Sequence, residues 1–511
     1  MRRLRAPLTL LRKTALLPET LLHHLERKRR TLLNTGKARS TFSAIKGRIL
    51  RQAEIHALLP IAEADLLARE LRHAIHMMAG LPNTSETELS LQQLLTEIRY
   101  LHAHATELKP LFTALKSRRV LYAGQAYYNT RYLSFAMRNH AWRADLLNWD
   151  LNESAQIYYH GEDIRFTMET PYPLERDLRF YVASLYHYDV FHFSNTQGIC
   201  FGFPLQGLFE SEWGKHAEIH LLKQLGKKIA YSNNGCQDGV SQTAFAQWGT
   251  DSICAICPWL HRPDICSDTR NLEWGKFRNM VADYQCLLGG NRADYNVAPT
   301  VHESPEFYCL DPAVWNPHLP IPPELFLPKA TPDTLRVYHA VGHKKERTSA
   351  EGVNIKSSHI YLPLIEKLQA EGIPLELIAP TGIPNKQVRF LQMQADIFLE
   401  MLTFGWFGAN AREAMMLGKP VICYIRPEWL ESLRREIPEY ADKLPIISAT
   451  PDTVETILRD LIAQPEKRRE IGERSHAFAL KWHGMDAAGK RFDEIYTQLL
   501  MGDPLWLQHY A

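Results

Sequence analysis

The chain of 511 residues lacks an uninterrupted apolar run of the length that a transmembrane helix needs, about 18 residues or more. It also lacks the composition of a secretory signal, because Arg12, Lys13 and Glu19 interrupt the apolar residues of its basic beginning. Only eight cysteines are present, too few for a disulfide scaffold in a chain of this size, which favours a reducing cytoplasm. The composition, 45% hydrophobic and 23% charged, is that of a globular protein with two or three domains.

The charge is nearly balanced overall but unevenly distributed. Residues 1–51 contain fourteen Lys and Arg against Glu19 and Glu26, a net charge of +12, whereas the whole chain carries +2. Leucines are interleaved with these basic residues, a mixture that suits a helix lying on an anionic membrane surface. A solvated extension is the main alternative; nucleic acid is the weaker one, since the segment lacks aromatic stacking residues. We expect a cytoplasmic protein held peripherally at the inner face of the membrane by this arm.

Residues 52–117 are predicted to be helical. Ser85 and Glu88 have the spacing of a capping box. After them, apolar residues repeat at seven-residue intervals in two rows, Leu91, Ile98, Ala105 and Phe112, and Leu94, Leu101, Leu108 and Leu115. The repeat indicates either a homodimer through residues 85–115 or a hairpin, with a second helix near Ile61–Met78, packed on its own chain.

Residues 118–300 alternate apolar strands with helical segments and predict a Rossmann-like domain. Strands are expected at Val120–Ala123, at residues 189–193 and at residues 227–232, and a helix at Asn129–Asn139. Ligands of doubly wound sheets bind at the carboxyl ends of the strands. The residues at these ends, which we expect on the acceptor side, are Gly124, His192 and Asn234.

A cysteine-rich insertion lies within this domain. Cys254 and Cys257 are spaced as in a zinc knuckle, Cys266 follows, and Cys236 is available as a fourth thiolate. The alternatives are a structural zinc or iron–sulfur site and ordinary buried thiols.

The rest of the chain predicts a connector and a second Rossmann-like domain. Residues 301–334 are rich in proline and are expected to be an extended hinge. Residues 335–484 resume the strand–helix alternation, and residues 485–511 form a final helix. Residues at a strand end and a helix start that suit a diphosphate are Gly342, His343, Lys344 and Lys356, and Gly382 begins a loop that could wall the pocket of the nucleotide base.

Residues 395–426 carry the clearest pattern, a strand, a glycine-rich turn, a helix and a second strand. The helix is expected at Ala409–Leu417, and Gly408 ends the turn before it. A glycine turn that enters a helix offers free N–H groups and the positive end of the helix dipole, here at Gly408, Ala409 and Asn410, and can hold a phosphate. Glu413, one turn further on, is within reach of a sugar hydroxyl.

The sequence GWFGANAREAMMLGKPVI in this stretch resembles the nucleotide-sugar signature of GT-B glycosyltransferases, in particular glycosyltransferase family 4. The family pairs two glutamates eight positions apart; Glu413 matches the second, which binds ribose, and Gly405 stands in place of the first. The resemblance implies an α/β fold with two Rossmann-like domains facing across a cleft, here preceded by the basic helical arm. The same resemblance implies that the terminal helix, in residues 485–511, returns toward the first domain. It also implies a nucleoside-diphosphate sugar as donor, no catalytic metal, and Lys356 as the phosphate-binding lysine.

The activity implied is transfer of a hexosyl or related sugar, with retention, to a hydroxyl of a lipid-linked or cell-surface glycan. The residues expected to carry it are His192, Lys356 and Glu413, with His192 or an unidentified carboxylate as the base if the enzyme inverts. Two alternatives stay open. One is an enzyme that glycosylates a protein docked on the helical arm, and the other is a GT-B-like binding or scaffold protein without transfer activity, for which Gly405 is the main argument.

Overall fold

The structure, a computed structural model, is built around two parallel sheets. It describes residues 37–55, 57–82, 89–124, 128–149, 162–166, 174–194, 199–232, 235, 239–247, 253–257, 259–287, 292–342, 348–349 and 352–502. The N-terminal part of the basic arm, residues 1–36, lies outside these ranges, and the helix Lys37–Ile55 runs through residue 51. Among the described helices, none is long and apolar enough to cross a membrane.

The first domain contains a sheet of seven parallel strands in the order β3-β2-β1-β4-β5-β6-β7. The strands are β1 (Arg119–Ala123), β2 (Arg143–Asn148), β3 (Ile164–Arg165), β4 (Val190–Phe193), β5 (Lys228–Ser232), β6 (Tyr284–Leu287) and β7 (Val301–Glu303). Every residue of β1 and β4 is buried, as expected of central strands covered by helices on both faces.

The helices of the first domain come before and between its strands. Those before β1 are Lys37–Ile55, Ile61–Ala79, Leu91–Ala103 and Ala105–Ala114, and those after it are Asn129–Asn139, Leu174–His187, Phe203–Trp213, Ala217–Gln224, Gln242–Ala246 and Asp268–Val281. The predicted helix at residues 129–139 is confirmed to the residue. Short 3₁₀ turns lie at Ile253–Ile256, Asp294–Val297, Pro305–Phe307 and Pro323–Leu325.

The seven-residue repeat packs within its own chain. Except for Leu91, which is half-buried, its residues are buried in one core with side chains of β1 and β4 such as Leu121 and Phe191. These side chains are therefore not available as a dimer seam, and of the two alternatives the packed hairpin is the one that forms. A capping box opens the Leu91–Ala103 helix at Ser90 and Gln93; the predicted box at residues 85 and 88 lies outside the described residues.

The proline-rich connector is more ordered than its composition predicts. Its first residues form β7, which pairs with β6 at the edge of the sheet. Further on, the side chain of Trp315 is completely buried. The expectation of an extended hinge is thus wrong for residues 301–315, because aromatic and aliphatic side chains between the prolines enter the core.

The second domain has a smaller sheet of four parallel strands in the order β11-β10-β8-β9. The strands are β8 (Leu335–Tyr338), β9 (Leu375–Ile378), β10 (Ile397–Leu399) and β11 (Val421–Ile422). The helices are Ser358–Ala370, Asn385–Met393, Ala409–Met416, Pro427–Glu436, Pro438–Lys443, Val454–Ala463, Pro465–His483 and Met485–Met501. The expected fold class, two Rossmann-like domains, is confirmed.

The last helix, Met485–Met501, returns to the first domain, as predicted. The indole N–H of Trp142 donates to an Asp493 carboxylate oxygen at 2.8 Å. Tyr496 packs its ring against Trp142 with the ring centroids 5.4 Å apart. The helix thereby covers the side of the first sheet that contains His192.

Candidate functional site

The site lies at the carboxyl end of β10, where the chain turns into the helix Ala409–Met416, called here the site helix. Gly405 lies in this turn with a φ of +85°, a conformation that residues with a side chain rarely adopt. A Cβ atom at this position would lie 2.9 Å from the Cβ of Arg426. Position 405 therefore requires glycine and has no room for the carboxylate that the family resemblance pairs with Glu413.

Lys356 is held at the start of the site helix by the backbone beside it. Ser357 adopts a left-handed conformation with a φ of +62°, and its hydroxyl accepts a hydrogen bond from the Leu402 N–H at 3.0 Å. This bond ties the lysine segment to the loop after β10. The Lys356 ammonium then lies 3.1 Å from the point where a Cβ on Gly408 would be, so a glycine at the N-cap lets the cation approach the helix end.

The buried side chain of His339 also fixes the loop after β10. His339 Nδ1 lies 3.1 Å from the carbonyl oxygen of Leu399, and its Nε2 lies 2.7 Å from the Ser358 hydroxyl. Because a carbonyl can only accept, Nδ1 carries the proton and Nε2 accepts from the serine. The end of β10 and the start of the Ser358–Ala370 helix are thus joined by one side chain.

Lys356 is paired with Glu400, the residue directly after β10. Its ammonium lies 2.7 Å from both carboxylate oxygens. The Glu400 side chain is buried at 1% exposure and that of Lys356 is 13% exposed. Gly408, Ala409 and Asn410 are partly exposed beside the pair. A cation and the N-terminus of a helix therefore converge where a solvent-borne anion can reach them.

Glu413 lies one turn inside the site helix and is buried, with 3% of its surface exposed. The Tyr128 hydroxyl, from the first domain, donates to Oε1 at 2.5 Å, and Gln392 Nε2 donates to Oε2 at 2.6 Å. Burial raises the pKa of the Glu413 carboxyl above its usual value, against the opposing effect of these two bonds. The carboxyl is thus held between the domains by a partner from each.

Arg412 anchors the other side of the site helix. Its guanidinium lies 4.3 Å from the ring centre of Tyr308 and 4.8 Å from that of Trp406. Burial lowers the pKa of the guanidinium, and the two ring faces attract the cation. The contact joins the site helix to the segment that follows β7.

The structure does not support His192 as a base. It is fully buried within β4, and its two ring nitrogens lie 2.6 Å from the Tyr496 hydroxyl and 2.6 Å from the Ser232 hydroxyl. Its ring also stacks on Phe307 at 5.3 Å. Burial lowers the pKa of His192 to about 3, so the ring is neutral and sealed in the core. Its place at a strand end reflects packing.

The remaining predicted residues are spread along the strand ends. Gly124 follows β1 with a φ of +95°, Gly342 lies in an exposed turn after β8, and Gly382 is exposed between β9 and the next helix. Asn234, His343 and Lys344 lie outside the described residues. The residues that the structure brings together are Lys356, Gly408, Ala409, Asn410 and Glu413.

The cysteine insertion does not form a metal site from its described members. No group of three His, Cys, Asp or Glu suited to a metal occurs in the described ranges, so Cys254, Cys257 and Cys266 do not converge by themselves; Cys236 lies outside those ranges. The Cys266 sulfur instead accepts from Gln242 Nε2 at 3.3 Å and from Asn271 Nδ2 at 3.4 Å.

Sequence reasoning missed the partners of the two charged residues. Glu400 directly follows a buried strand, so the rule that ligand-facing groups lie at carboxyl ends could have found it. Tyr128 likewise comes soon after β1. No local signal marks Gln392, which lies near the end of an ordinary helix, Asn385–Met393.

Comparison with known proteins gives a likeness in fold. No family model matches the chain, and no curated protein matches it. Among solved structures, HepE from Anabaena in complex with UDP and glucose has a TM-score of 0.44 and 12% identity, covering 75% of this chain and all of its own. Sucrose-phosphate synthase from Thermosynechococcus elongatus has a TM-score of 0.44 and 15% identity, covering 76% and 100%. The catalytic domain of starch synthase IV from Arabidopsis thaliana, bound to ADP and acarbose, has a TM-score of 0.43 and 12% identity, covering 75% and 99%.

Proposed function

We propose that the protein is a glycosyltransferase that moves a sugar from a nucleoside-diphosphate donor to an acceptor hydroxyl. The observation that carries the proposal is the convergence of the Lys356 ammonium on the N-terminus of the site helix, one turn before Glu413. A diphosphate matches the cation and the helix end, and a ribose hydroxyl matches the carboxyl. The three features together fit a nucleotide better than they fit a simple anion.

Each group has a distinct task in this reaction. As the bond to the anomeric carbon breaks, negative charge grows on the leaving diphosphate, and the Lys356 ammonium and the N–H groups near Gly408–Asn410 stabilise it. Glu413 fixes the ribose and so contributes by positioning the donor. We propose retention, as the family resemblance implies; an inverted anomeric configuration of the product, measured by NMR, would contradict it.

We also propose that the acceptor is a lipid-linked or cell-surface glycan and that the basic arm brings the enzyme to the membrane. The support is the net charge of +12 in residues 1–51. Because the helix Lys37–Ile55 buries Ile49 in the first domain, the informative truncation removes only residues 1–36. We expect the truncated protein to lose binding to vesicles that contain anionic lipid, while the full chain sediments with them. Equal binding of both proteins would contradict a membrane role for the arm.

A binding protein without transfer activity is the second candidate. It is favoured by the steric exclusion of any side chain at Gly405, which leaves the site without one of the two family carboxylates. Such a protein would bind a nucleotide sugar but release no nucleoside diphosphate in the presence of glycan acceptors.

A thermal-shift screen with UDP, GDP, ADP, CMP and dTDP, each with and without Mg²⁺, tests the donor site. A ligand that binds only the folded state stabilises it by about 2.7 kcal/mol at a hundredfold excess over Kd. We expect one nucleoside diphosphate to raise the melting temperature to the same extent with and without the metal. The absence of a shift with every nucleotide, in folded protein, would contradict the proposed function.

A further inference from the structure

The carboxyl that we assign to ribose binding is already occupied in this structure. Glu413 is 3% exposed, and both of its oxygens accept hydrogen bonds from protein groups. A carboxylate has lone pairs for further donors, but this one is enclosed at 3% exposure, so a ribose hydroxyl cannot approach it until one of the partners moves away. The two partners differ in a way that indicates which one moves.

Gln392 belongs to the second domain and so moves together with Glu413. Tyr128 belongs to the first domain, where it directly precedes the helix Asn129–Asn139. A change in the distance between the domains breaks the bond to Tyr128 and leaves the bond to Gln392 intact. The exchangeable partner of Glu413 is therefore the tyrosine.

The Tyr128 hydroxyl also has the chemistry of the group that would replace it. A phenol and a ribose hydroxyl are both neutral O–H donors, and a carboxylate accepts either one. The exchange needs only a hydroxyl on the ligand, because only this one hydrogen bond is replaced.

We propose that Tyr128 is a positioning residue of the donor site: its hydroxyl holds the place of a ribose hydroxyl on Glu413, and nucleotide binding exchanges the one for the other. The proposal rests on the proposed function. It makes the first domain part of the donor site and couples nucleotide binding to the contact between the domains.

The aromatic surroundings of Tyr128 allow its hydroxyl to be removed without disturbing its ring. The ring lies 5.2 Å from that of Tyr132 and 5.8 Å from that of Trp315. Tyr132 is equally buried, with 2% exposure, and its hydroxyl accepts from the Trp315 indole at 3.3 Å. Tyr132→Phe is therefore a matched control for Tyr128→Phe, since it removes a buried hydroxyl from the same cluster but not from Glu413.

The test is isothermal titration of wild type, Tyr128→Phe and Tyr132→Phe with UDP, GDP and ADP and with inorganic pyrophosphate. A hydrogen bond to a charged group corresponds to roughly a tenfold change in an equilibrium constant. We expect Tyr128→Phe to bind a nucleoside diphosphate about tenfold more tightly than wild type, and Tyr132→Phe to bind it as wild type does. Pyrophosphate, which has no ribose, should bind all three proteins equally.

The outcomes separate this inference from the proposed function. Unchanged or weaker nucleotide binding by Tyr128→Phe, with binding by wild type, overturns the inference alone. Equal tightening of pyrophosphate binding also overturns it, because the hydroxyl would then oppose the phosphates. No nucleotide binding by wild type or by Tyr128→Phe overturns both.

A measurement on wild type keeps the inference testable if Tyr128→Phe does not fold. Hydrogen exchange of the peptide that covers residues 128–134 should become faster with saturating nucleotide, because the start of this helix loses its bond to the second domain. Exchange in the site helix should become slower as the ligand covers it. An unchanged rate at residues 128–134 together with slower exchange in the site helix overturns the inference.

Discussion

The two sheets present their carboxyl ends in similar ways but place different chemistry there. In the first domain, His192 is the third residue of β4, and its side chain enters the layer between the sheet and the terminal helix. In the second domain, Glu400 comes one residue after β10, and it reaches the loop that carries Lys356. His192, which is still part of its strand, is packed into the core, whereas Glu400, which follows its strand, lies where it can contribute to ligand binding.

The regions around His192 and Lys356 also differ in whether they hold a charged side chain. The core around His192 tolerates only the neutral imidazole, since burial lowers its pKa to about 3. In the second region, Lys356 is paired with Glu400 at the edge of solvent. A substitution in the first region should therefore affect stability, and one in the second should affect binding.

The largest effect that we expect on binding is that of Lys356→Ala. The diphosphate loses a charge-assisted partner while the Glu400 carboxylate remains beside it, so affinity for the nucleoside diphosphate should fall about 30-fold, or about 2 kcal/mol. Titration calorimetry well below the melting temperature measures this change. Lys367→Ala is the control, because Lys367 lies in the adjacent helix Ser358–Ala370 and forms an exposed pair with Glu455.

Equal nucleotide affinity of Lys356→Ala and Lys367→Ala would contradict the difference between the two sheets. Lys356 would then be a surface cation that happens to lie near a helix end, and the second region would be no more a ligand site than the first. The expected result instead separates the two lysines by their distance from the site helix.

Local sequence patterns predicted the elements that form both regions. The helix Asn129–Asn139 agrees to the residue, and the site helix ends one residue earlier than predicted, at Met416. Gly408 was found because a glycine turn that enters a helix has a physical meaning of its own. These features depend on residues that are close together in the sequence, so the sequence alone predicts them.

The features that decide the chemistry depend on contacts between distant residues. The bond from Tyr128 to Glu413 joins residues 285 positions apart, and the bond from Tyr496 to His192 joins residues 304 positions apart. Whether a histidine at a strand end is open or sealed is decided by which helix packs over it. The residues around His192 in the sequence do not indicate that the terminal helix packs over its side chain.

An effect on stability, with no change in binding, tests the sealed state of His192 through the pH dependence of unfolding. Its folded pKa of about 3 lies below its ordinary value of 6.5. As the pH falls below 6.5, His192 is protonated in the unfolded chain but stays neutral in the folded one. The free energy of unfolding present above that pH therefore decreases progressively toward pH 3. The expected loss from this residue is about 1.4 kcal/mol per pH unit between pH 6 and 4.

His192→Asn should reveal this contribution in urea unfolding at pH 7, 6, 5 and 4. The variant loses packing and hydrogen bonds and should be less stable than wild type at pH 7, but its stability should fall less steeply with acid. His483, whose pKa burial also lowers to about 3, is present in both proteins and cancels from the difference. Parallel pH profiles would mean that the folded state protonates His192 as readily as the unfolded one, and would restore it as an acid–base group at the first sheet.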